Sequence, residues 1–164
     1  MSTATTESPD FNPLSQIAVV LSHTSHPGNI GAAARAMKTM GLSDLRLVNP
    51  DVFPSDIANA RASGATDVLN AAHVFTSLAD ALADCVYVVG SSARGRDFVG
   101  EVADARTAST EMVARSSQGK VAIVFGCESS GLTNAEVLSC QTLAFVPTNP
   151  EYSSLNLGSA VQVF

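Results

Sequence analysis

Five short apolar runs recur along the chain, and their spacing is the strongest constraint on its fold. Each run is short, rich in β-branched residues and bounded mostly by polar residues or glycine, which is typical of a buried strand. The runs lie at residues 17–21, 45–48, 86–89, 121–125 and 143–146. Alanine-rich segments of helical composition separate them, at residues 30–40, 55–63, 77–83 and 109–116, and a further helix is expected near residue 133. This alternation predicts an α/β fold with a mostly parallel sheet flanked by helices.

The domain organisation follows from length and composition. A chain of 164 residues with 46% hydrophobic and 15% charged residues fits one domain with its own core. Residues 1–14 are expected to form a flexible polar leader, and residues 15–164 the folded domain. A weaker strand is expected around Val68 or Val74. Residues 153–164 have a helical apolar pattern that is still under way at the last residue, so we expect the natural protein to continue.

The cysteines and the hydropathy indicate where the protein works. Cys85, Cys127 and Cys140 are odd in number and lack C-x-x-C spacing, which favours neither a disulfide framework nor a zinc knuckle. No apolar run reaches the roughly 18 residues that span a bilayer. A reducing cytoplasm is the simplest location.

The net charge of the chain argues against binding of nucleic acid, whereas the distribution of the charges allows it. A net charge of −6 disfavours a partner bound through phosphates, because phosphate neutralisation needs clustered cations. Residues 11–43, however, contain no acid and include Arg35, Lys38, His23 and His26. A locally positive surface is therefore possible on an acidic molecule.

Ligands of open parallel sheets bind beyond the carboxyl ends of the strands, so the loops there are the candidate sites. Gly28 and Gly31 fit neither a Walker A loop nor the dinucleotide fingerprint, which argues against a nucleotide-phosphate site. His23 and His26 supply too few ligands for a usual zinc site, so no metal is expected. Cys127 lacks the signature of a thiol nucleophile and is interpreted as a space-filling residue.

Three of these loops match a known set of motifs. NIGAAAR at residues 29–35, FGCESSGL at 125–132 and SSLNL at 153–157 resemble, in order and spacing, the motifs of the SpoU (TrmH-like) class of SPOUT RNA 2′-O-methyltransferases. Residues 34–50 and 148–157 look closest to its TrmJ branch, which methylates ribose in the tRNA anticodon loop. The resemblance runs from about residue 17 to the last residue.

The resemblance implies a fold, a cofactor and partners. In this family the carboxyl-terminal part of the α/β sheet is threaded into a deep trefoil knot, and the enzyme works as a homodimer on RNA, here tRNA. The cofactor is S-adenosylmethionine, which leaves as S-adenosylhomocysteine. By resemblance, the residues that line the cofactor pocket are Ser91, Ser92, Ala93, Gly126, Val146, Ser153, Ser154 and Leu155.

The resemblance also assigns the reaction, an in-line transfer of the methyl group to a ribose 2′-oxygen. It places Arg35 at the catalytic centre, where Asn29, Glu128, Ser154 and Asn156 organise Arg35 and the substrate. A guanidinium stays protonated in proteins and is a poor base, so Arg35 acts either in proton removal or by binding a neighbouring phosphate and stabilising developing charge. Cys127 stands where family members often carry a basic or polar residue, which puts RNA contacts at that position in doubt.

Two alternatives to a tRNA methyltransferase stay open. The same chemistry could act on ribosomal RNA. The chain could also be a non-catalytic module that binds RNA or cofactor on the same scaffold, although the joint presence of Arg35, Glu128 and Asn156 argues against that interpretation.

Overall fold

A computed structural model describes residues 11–92, 100–149, 151 and 155–164. Its centre is one sheet of seven strands in the order β3-β2-β1-β6-β4-β7-β5, and every pair of neighbouring strands is parallel. The strands are β1 Ile17–Ser22, β2 Asp44–Val48, β3 His73–Phe75, β4 Cys85–Ser91, β5 Glu101–Asp104, β6 Lys120–Phe125 and β7 Thr142–Phe145. The predicted parallel α/β sheet is confirmed.

Seven α-helices flank the sheet within the described residues. They are α1 Pro27–Thr39, α2 Asp56–Ala62, α3 Thr66–Asn70, α4 Leu78–Ala81, α5 Ala105–Arg115, α6 Asn134–Leu138 and α7 Leu157–Val163. Short 3-10 helices cover Pro13–Gln16 and Ser63–Ala65. None of the described helices is both long and apolar enough to cross a membrane.

The two faces of the sheet carry separate cores because successive side chains of a strand point to opposite sides. Val19 and Leu21 of β1 pack into the larger core with residues of α1, α2, α3, α5 and α7. Ala18 and Val20 of the same strand enter the smaller core with residues of α4 and α6. Burial on both faces explains why β1 is apolar throughout rather than alternating.

Several element boundaries differ from the sequence predictions. Helix α1 begins three residues before the predicted start at residue 30, because Pro27 suits the first helical position and the His26 side chain caps the Gly28 amide. Val74 lies in the predicted weak strand, whereas Val68 lies in α3. Strand β5 was not predicted, since its sequence EVAD is short and half acidic.

The last helix also begins later than predicted. Its first residue is Leu157 rather than a residue near 153, and Asn156 is the residue that caps it. Residues 1–10 of the predicted leader and residues 150 and 152–154, before α7, lie outside the described residues. The trefoil knot therefore stays a prediction.

The amino ends of the strands carry a buried ion-pair network. Arg46 on β2 is 7% exposed, and its guanidinium donates to Asp44, to Asp84 and to the carbonyl oxygen of Ala81. Lys120 adds a second cation 3.3 Å from Asp44. The four charged residues of this network line a cavity of about 590 Å³ at this edge of the sheet. The network ties β2, β4 and β6 together at the edge opposite to the predicted site.

Replacing Arg46 by leucine should destabilise the fold, because it leaves the carboxylates of Asp44 and Asp84 without their main partner. We expect the free energy of unfolding in urea to fall by about 2–3 kcal/mol, since removing one partner of a buried ion pair is costly and Asp44 keeps Lys120. Arg106→Leu, at an exposed position on α5, is the matched control and should change the free energy by less than about 0.5 kcal/mol. Equal effects of the two substitutions would show that the network adds no stability.

Candidate active site at the carboxyl ends of the strands

The carboxyl ends of four central strands lie side by side, because β1, β6, β4 and β7 are consecutive in the sheet. The predicted motif loops follow these strands. The chain leaves β1 at Ser22 and enters α1 at Pro27, and it leaves β6 at Phe125 into a tight turn closed by a bridge between Cys127 and Gly131. The fold therefore brings the first two motifs together at one edge of the sheet.

Glu128 joins the first two motifs directly. One carboxylate oxygen accepts from the Ser25 amide at 3.0 Å, and the other accepts from the His26 amide at 3.0 Å, the Ser25 hydroxyl at 2.9 Å and the Asn29 side-chain amide at 2.9 Å. The carboxylate lies at the start of α1, where negative charge is favoured by the free amides of the first turn. The structure thus brings Asn29 and Glu128, from the first and second motifs, into direct contact, while the roles that the resemblance gives them stay predictions.

The surroundings of Glu128 keep it ionised. Desolvation raises the pKa of the carboxyl group, but the hydrogen bonds from Ser25, His26 and Asn29 outweigh it and lower the pKa to about 2. A carboxylate with so low a pKa is a poor proton acceptor at neutral pH. Glu128 therefore acts as a positioning residue that fixes the loop before α1 and the Asn29 side chain.

The low pKa of Glu128 predicts an acid-dependent loss of stability. The folded state binds the proton less readily than the unfolded chain, so the stabilisation is present above the ordinary pKa of 4.5 and is lost as pH falls towards about 2. Glu128→Gln should therefore be less stable than the wild type at pH 6, and the gap should narrow at pH 3. Urea unfolding at both pH values measures the difference in free energy of unfolding between the wild type and the variant. Glu101→Gln on β5 is the control for the loss of one carboxylate. A gap that is equal at both pH values would contradict this assignment.

Arg35 lies two turns into α1 with an exposed side chain. Among the described residues, its guanidinium forms no hydrogen bond or ion pair, so the structure contains no direct contact from Arg35 to Asn29, Glu128 or Asn156. The catalytic role of Arg35 stays a prediction. Its exposure leaves the guanidinium accessible to a substrate.

Asn156 stands at the start of α7, and its Oδ1 accepts from the Ser159 amide at 2.8 Å. Helix α7 packs on α1, since an added Cβ at Gly158 would lie 2.9 Å from the Ala32 Cβ. Ala32 is one turn from both Asn29 and Arg35 on the helix surface. The structure thus places the start of α7, at the end of the third motif, next to the first motif, with the side-chain oxygen of Asn156 used as a helix cap. Ser154 lies outside the described residues.

The predicted cofactor residues fall partly within the described chain. Ser91 is the last residue of β4, and Ser92, Gly126 and Val146 directly follow β4, β6 and β7. All four residues are half-buried, and β4 pairs with both of the other strands. Leu155 is 40% exposed just before α7. Ala93, Ser153 and Ser154 lie outside the described residues. The four half-buried positions offer small side chains and main-chain groups on three adjacent strand ends, which suits close approach of an adenosine.

Gly126 has a packing requirement that the sequence did not reveal. A Cβ at this position would fall under 3.0 Å from backbone atoms of Gly131 and Leu132. The turn that carries Glu128 can therefore fold back onto β6 only because residue 126 has no side chain.

The surroundings of His26 and Cys127 bear on the metal and thiol chemistries that these residue types could support. His26 uses Nδ1 to cap α1, and within the described residues no group of three or more His, Cys, Asp or Glu side chains could hold a metal ion. The Cys127 thiol is half-buried, and hydrogen bonding, above all from Ser129, lowers its pKa. No histidine contacts the thiol among the described residues, so the arrangement lacks the base of a Cys-His nucleophile.

Three residues near this edge have contacts that the sequence does not indicate. Ser25 and His26 hold Glu128, but they are separated from it by 103 and 102 residues in the chain. His23 has a positive φ of 57° and lies 4.0 Å from a buried oxygen of Glu136 on α6, with no other partner for that oxygen in the described structure. Only the capping-box pattern of Thr133 and Glu136 could have been read from the sequence.

Comparison with known proteins identifies the family to which the chain belongs. The model of the SpoU rRNA Methylase family matches residues 16–164, so the chain belongs to this family. A curated protein of Pseudomonas aeruginosa, tRNA (cytidine/uridine/adenosine-2′-O-)-methyltransferase TrmJ, is 53% identical over 151 residues, which cover 92% of this chain and 59% of that protein. This chain thus spans about three fifths of the length of that relative.

Two solved structures have a similar fold. A probable methylase family protein from Haemophilus influenzae has a TM-score of 0.87 and 47% sequence identity, covering 92% of this chain and 63% of that one. A structure described as "Structural insights into the 2-OH methylation of C/U34 on tRNA" has a TM-score of 0.71 and 25% identity, covering 93% of this chain and 92% of that one. The predicted family and its α/β fold are confirmed.

Proposed function

We propose that the protein transfers a methyl group from S-adenosylmethionine to the ribose 2′-hydroxyl of a nucleotide in the tRNA anticodon loop. The contact of Glu128 with Asn29 carries this proposal, because it joins the second family motif to the first, the motif that contains Arg35. The relatives add support, since the similar P. aeruginosa protein is a tRNA 2′-O-methyltransferase and a similar fold was studied for methylation at tRNA position C/U34.

The carboxyl ends of β4, β6 and β7 fit the cofactor. Ser91, Ser92, Gly126 and Val146 would hold it, together with Leu155 and with Ala93, Ser153 and Ser154 beyond the described residues. When bound, S-adenosylmethionine supplies an electrophilic methyl group on its sulfonium. Half-buried main-chain groups at these positions would bind it and keep water from the sulfonium.

The chain's own residues would orient the ribose and handle its charge. A 2′-hydroxyl is a weak acid, so the site must hold its oxygen in line with the methyl group and stabilise the charge that develops as its proton leaves. The guanidinium of Arg35 would bind the neighbouring phosphate and stabilise that charge. Glu128 fixes Asn29 and the start of α1, and Asn156 caps α7, so the two residues would hold the helices on either side of the bound ribose in place.

The homodimer and the cytoplasmic location are part of the proposal. Met40 and Val113 are 49% and 44% exposed, and both border an apolar cavity of about 120 Å³ that is also lined by Phe164. An exposed apolar surface of this kind favours a second copy of the chain as its cover. Free cysteines and a tRNA substrate are consistent with the cytoplasm.

The test is methyl transfer by the full-length protein from labelled S-adenosylmethionine to unmodified tRNA. We expect label in a 2′-O-methylated nucleoside of the anticodon loop, identified by mass spectrometry after nuclease digestion. Label in ribosomal RNA but not in tRNA would contradict the tRNA proposal in favour of the other substrate. Cofactor or RNA binding without transfer would contradict the enzyme proposal.

A further inference from the structure

A second arginine lies beside Arg35 on the neighbouring helix. Arg61 is in the last turn of α2, with an exposed side chain. Its stem rests on α1, since the Arg61 Cβ lies 2.9 Å from the position of a Cβ added at Gly31, and its Cγ lies 3.5 Å from one added at Gly28. Such a Cβ at Gly31 would also fall under 3.0 Å from the Ala58 carbonyl oxygen. The glycine thus lets α2 approach closely enough to bring Arg61 onto this face.

The same face of α1 carries Arg35. Gly28, Gly31 and Arg35 follow a spacing of three and four residues, which places them on one stripe of the helix. Residues four apart have Cβ atoms about 5–6 Å from each other, so the Cβ atoms of Arg35 and Arg61 lie within roughly 9 Å. Long side chains on a helix lean towards its amino terminus, which directs Arg35 back over Gly31 and towards Arg61. Two guanidinium groups can therefore reach one ligand.

Neither charge is compensated within the described structure. The side chains of Arg35 and Arg61 form no hydrogen bond or ion pair with a described residue. Three other described cations, by contrast, are paired: Lys38 with Asp67 at 3.0 Å, Arg46 with Asp44 at 3.0 Å, and Arg115 with Glu111. Two adjacent like charges without an acid repel each other, and an anion bound between them would relieve that repulsion.

The side-chain chemistry of Arg35 and Arg61 favours a phosphate group as their shared ligand. Guanidinium groups present a planar fork of donors that matches the oxygens of a phosphate and binds them in a bidentate manner. His26 lies next to Arg61 on this face. Its ring atoms are 2.9 and 3.0 Å from the position of a Cβ added at Gly28, and the Arg61 Cγ is 3.5 Å from the same position. Its Nδ1 accepts from the Gly28 amide, which leaves Nε2 to donate from the exposed ring.

We propose that Arg61 binds a backbone phosphate of the RNA substrate, jointly with Arg35, next to the ribose that is methylated. This inference rests on the proposed function, and it adds α2 to the RNA-binding surface. Arg61 contributes substrate affinity and register, whereas Arg35 also serves the chemical step.

Steady-state kinetics of the full-length protein with tRNA test this proposal. Arg61→Gln should raise KM for tRNA about tenfold with kcat within about twofold, and it should lower the slope of log KM against log salt concentration by about 1, as expected for one lost phosphate contact. Arg61→Lys, which keeps the charge but not the fork, should recover part of the affinity. Arg106→Gln on α5 is the control and should match the wild type.

The outcomes separate this inference from the proposed function. A wild type without methyl transfer would refute the proposed function itself. An active wild type for which Arg61→Gln has the KM and salt slope of Arg106→Gln would overturn the role of Arg61. So would a fall in kcat with unchanged KM and a lowered melting temperature, because those changes indicate a structural role.

Discussion

Replacing Arg35 by alanine is expected to reduce kcat for methyl transfer to tRNA by about 10²–10³-fold, the loss typical of removing one preorganised donor from a site where charge develops. The residue is exposed on α1, one turn from Ala32 against which α7 packs, so it lies close to the contact between α1 and α7. It makes no contact that holds the fold together within the described residues. The melting temperature and the affinity for S-adenosylmethionine should therefore stay close to those of the wild type.

Two further variants define what Arg35 does. Arg35→Lys keeps the charge and loses the planar fork, so an intermediate rate indicates phosphate binding and electrostatic stabilisation. Arg106→Ala, another exposed arginine on α5, should keep the wild-type rate. Full activity of Arg35→Ala would place the catalytic centre elsewhere.

Gly126→Ala is expected to have the largest effect on the fold of the site. The new methyl group would fall under 3.0 Å from backbone atoms of Gly131 and Leu132, and backbone cannot move aside as a flexible side chain can. Overpacking of this kind costs roughly 1–3 kcal/mol or more. The turn that carries Glu128 would have to shift, which would remove both the proposed cofactor contact at Gly126 and the carboxylate that holds the start of α1.

The measurements are urea unfolding and calorimetric titration with S-adenosylmethionine. Gly126→Ala should lower the free energy of unfolding by about 2–4 kcal/mol and abolish detectable cofactor binding. Gly64→Ala is a matched control, because an added Cβ there meets nothing within 4 Å. Wild-type cofactor affinity in Gly126→Ala would contradict the placement of the cofactor at the end of β6.

The sequence predicted the parts of the fold that depend on local pattern. Runs such as residues 17–21 are apolar throughout because both faces of the sheet are covered, and this property is visible in the chain. The edge strand Glu101–Asp104 has a mixed pattern and only one neighbour, so nothing local marks it as a strand. The early start of α1 depends on a proline at its first position and a histidine cap, both of which also occur in loops.

The candidate site also contains some residues that the sequence identifies and some contacts that only the fold creates. Asn29, Arg35 and Glu128 were identified by their motifs, and their residue types suit the chemistry. The partners of Glu128 at Ser25 and His26 depend on the close approach of two strand ends, which the spacing along the chain does not encode. Arg61 is more remote still, because its place beside Arg35 is set by helix packing across Gly31.

A crystal structure of the full-length protein with S-adenosylmethionine bound would show where the cofactor lies relative to Arg35. We expect the cofactor at the carboxyl ends of β4, β6 and β7, with its adenosine against Gly126 and Val146 and its sulfonium facing Arg35. A cofactor bound elsewhere, such as in the cavity beside Arg46 at the amino ends of the strands, would contradict it.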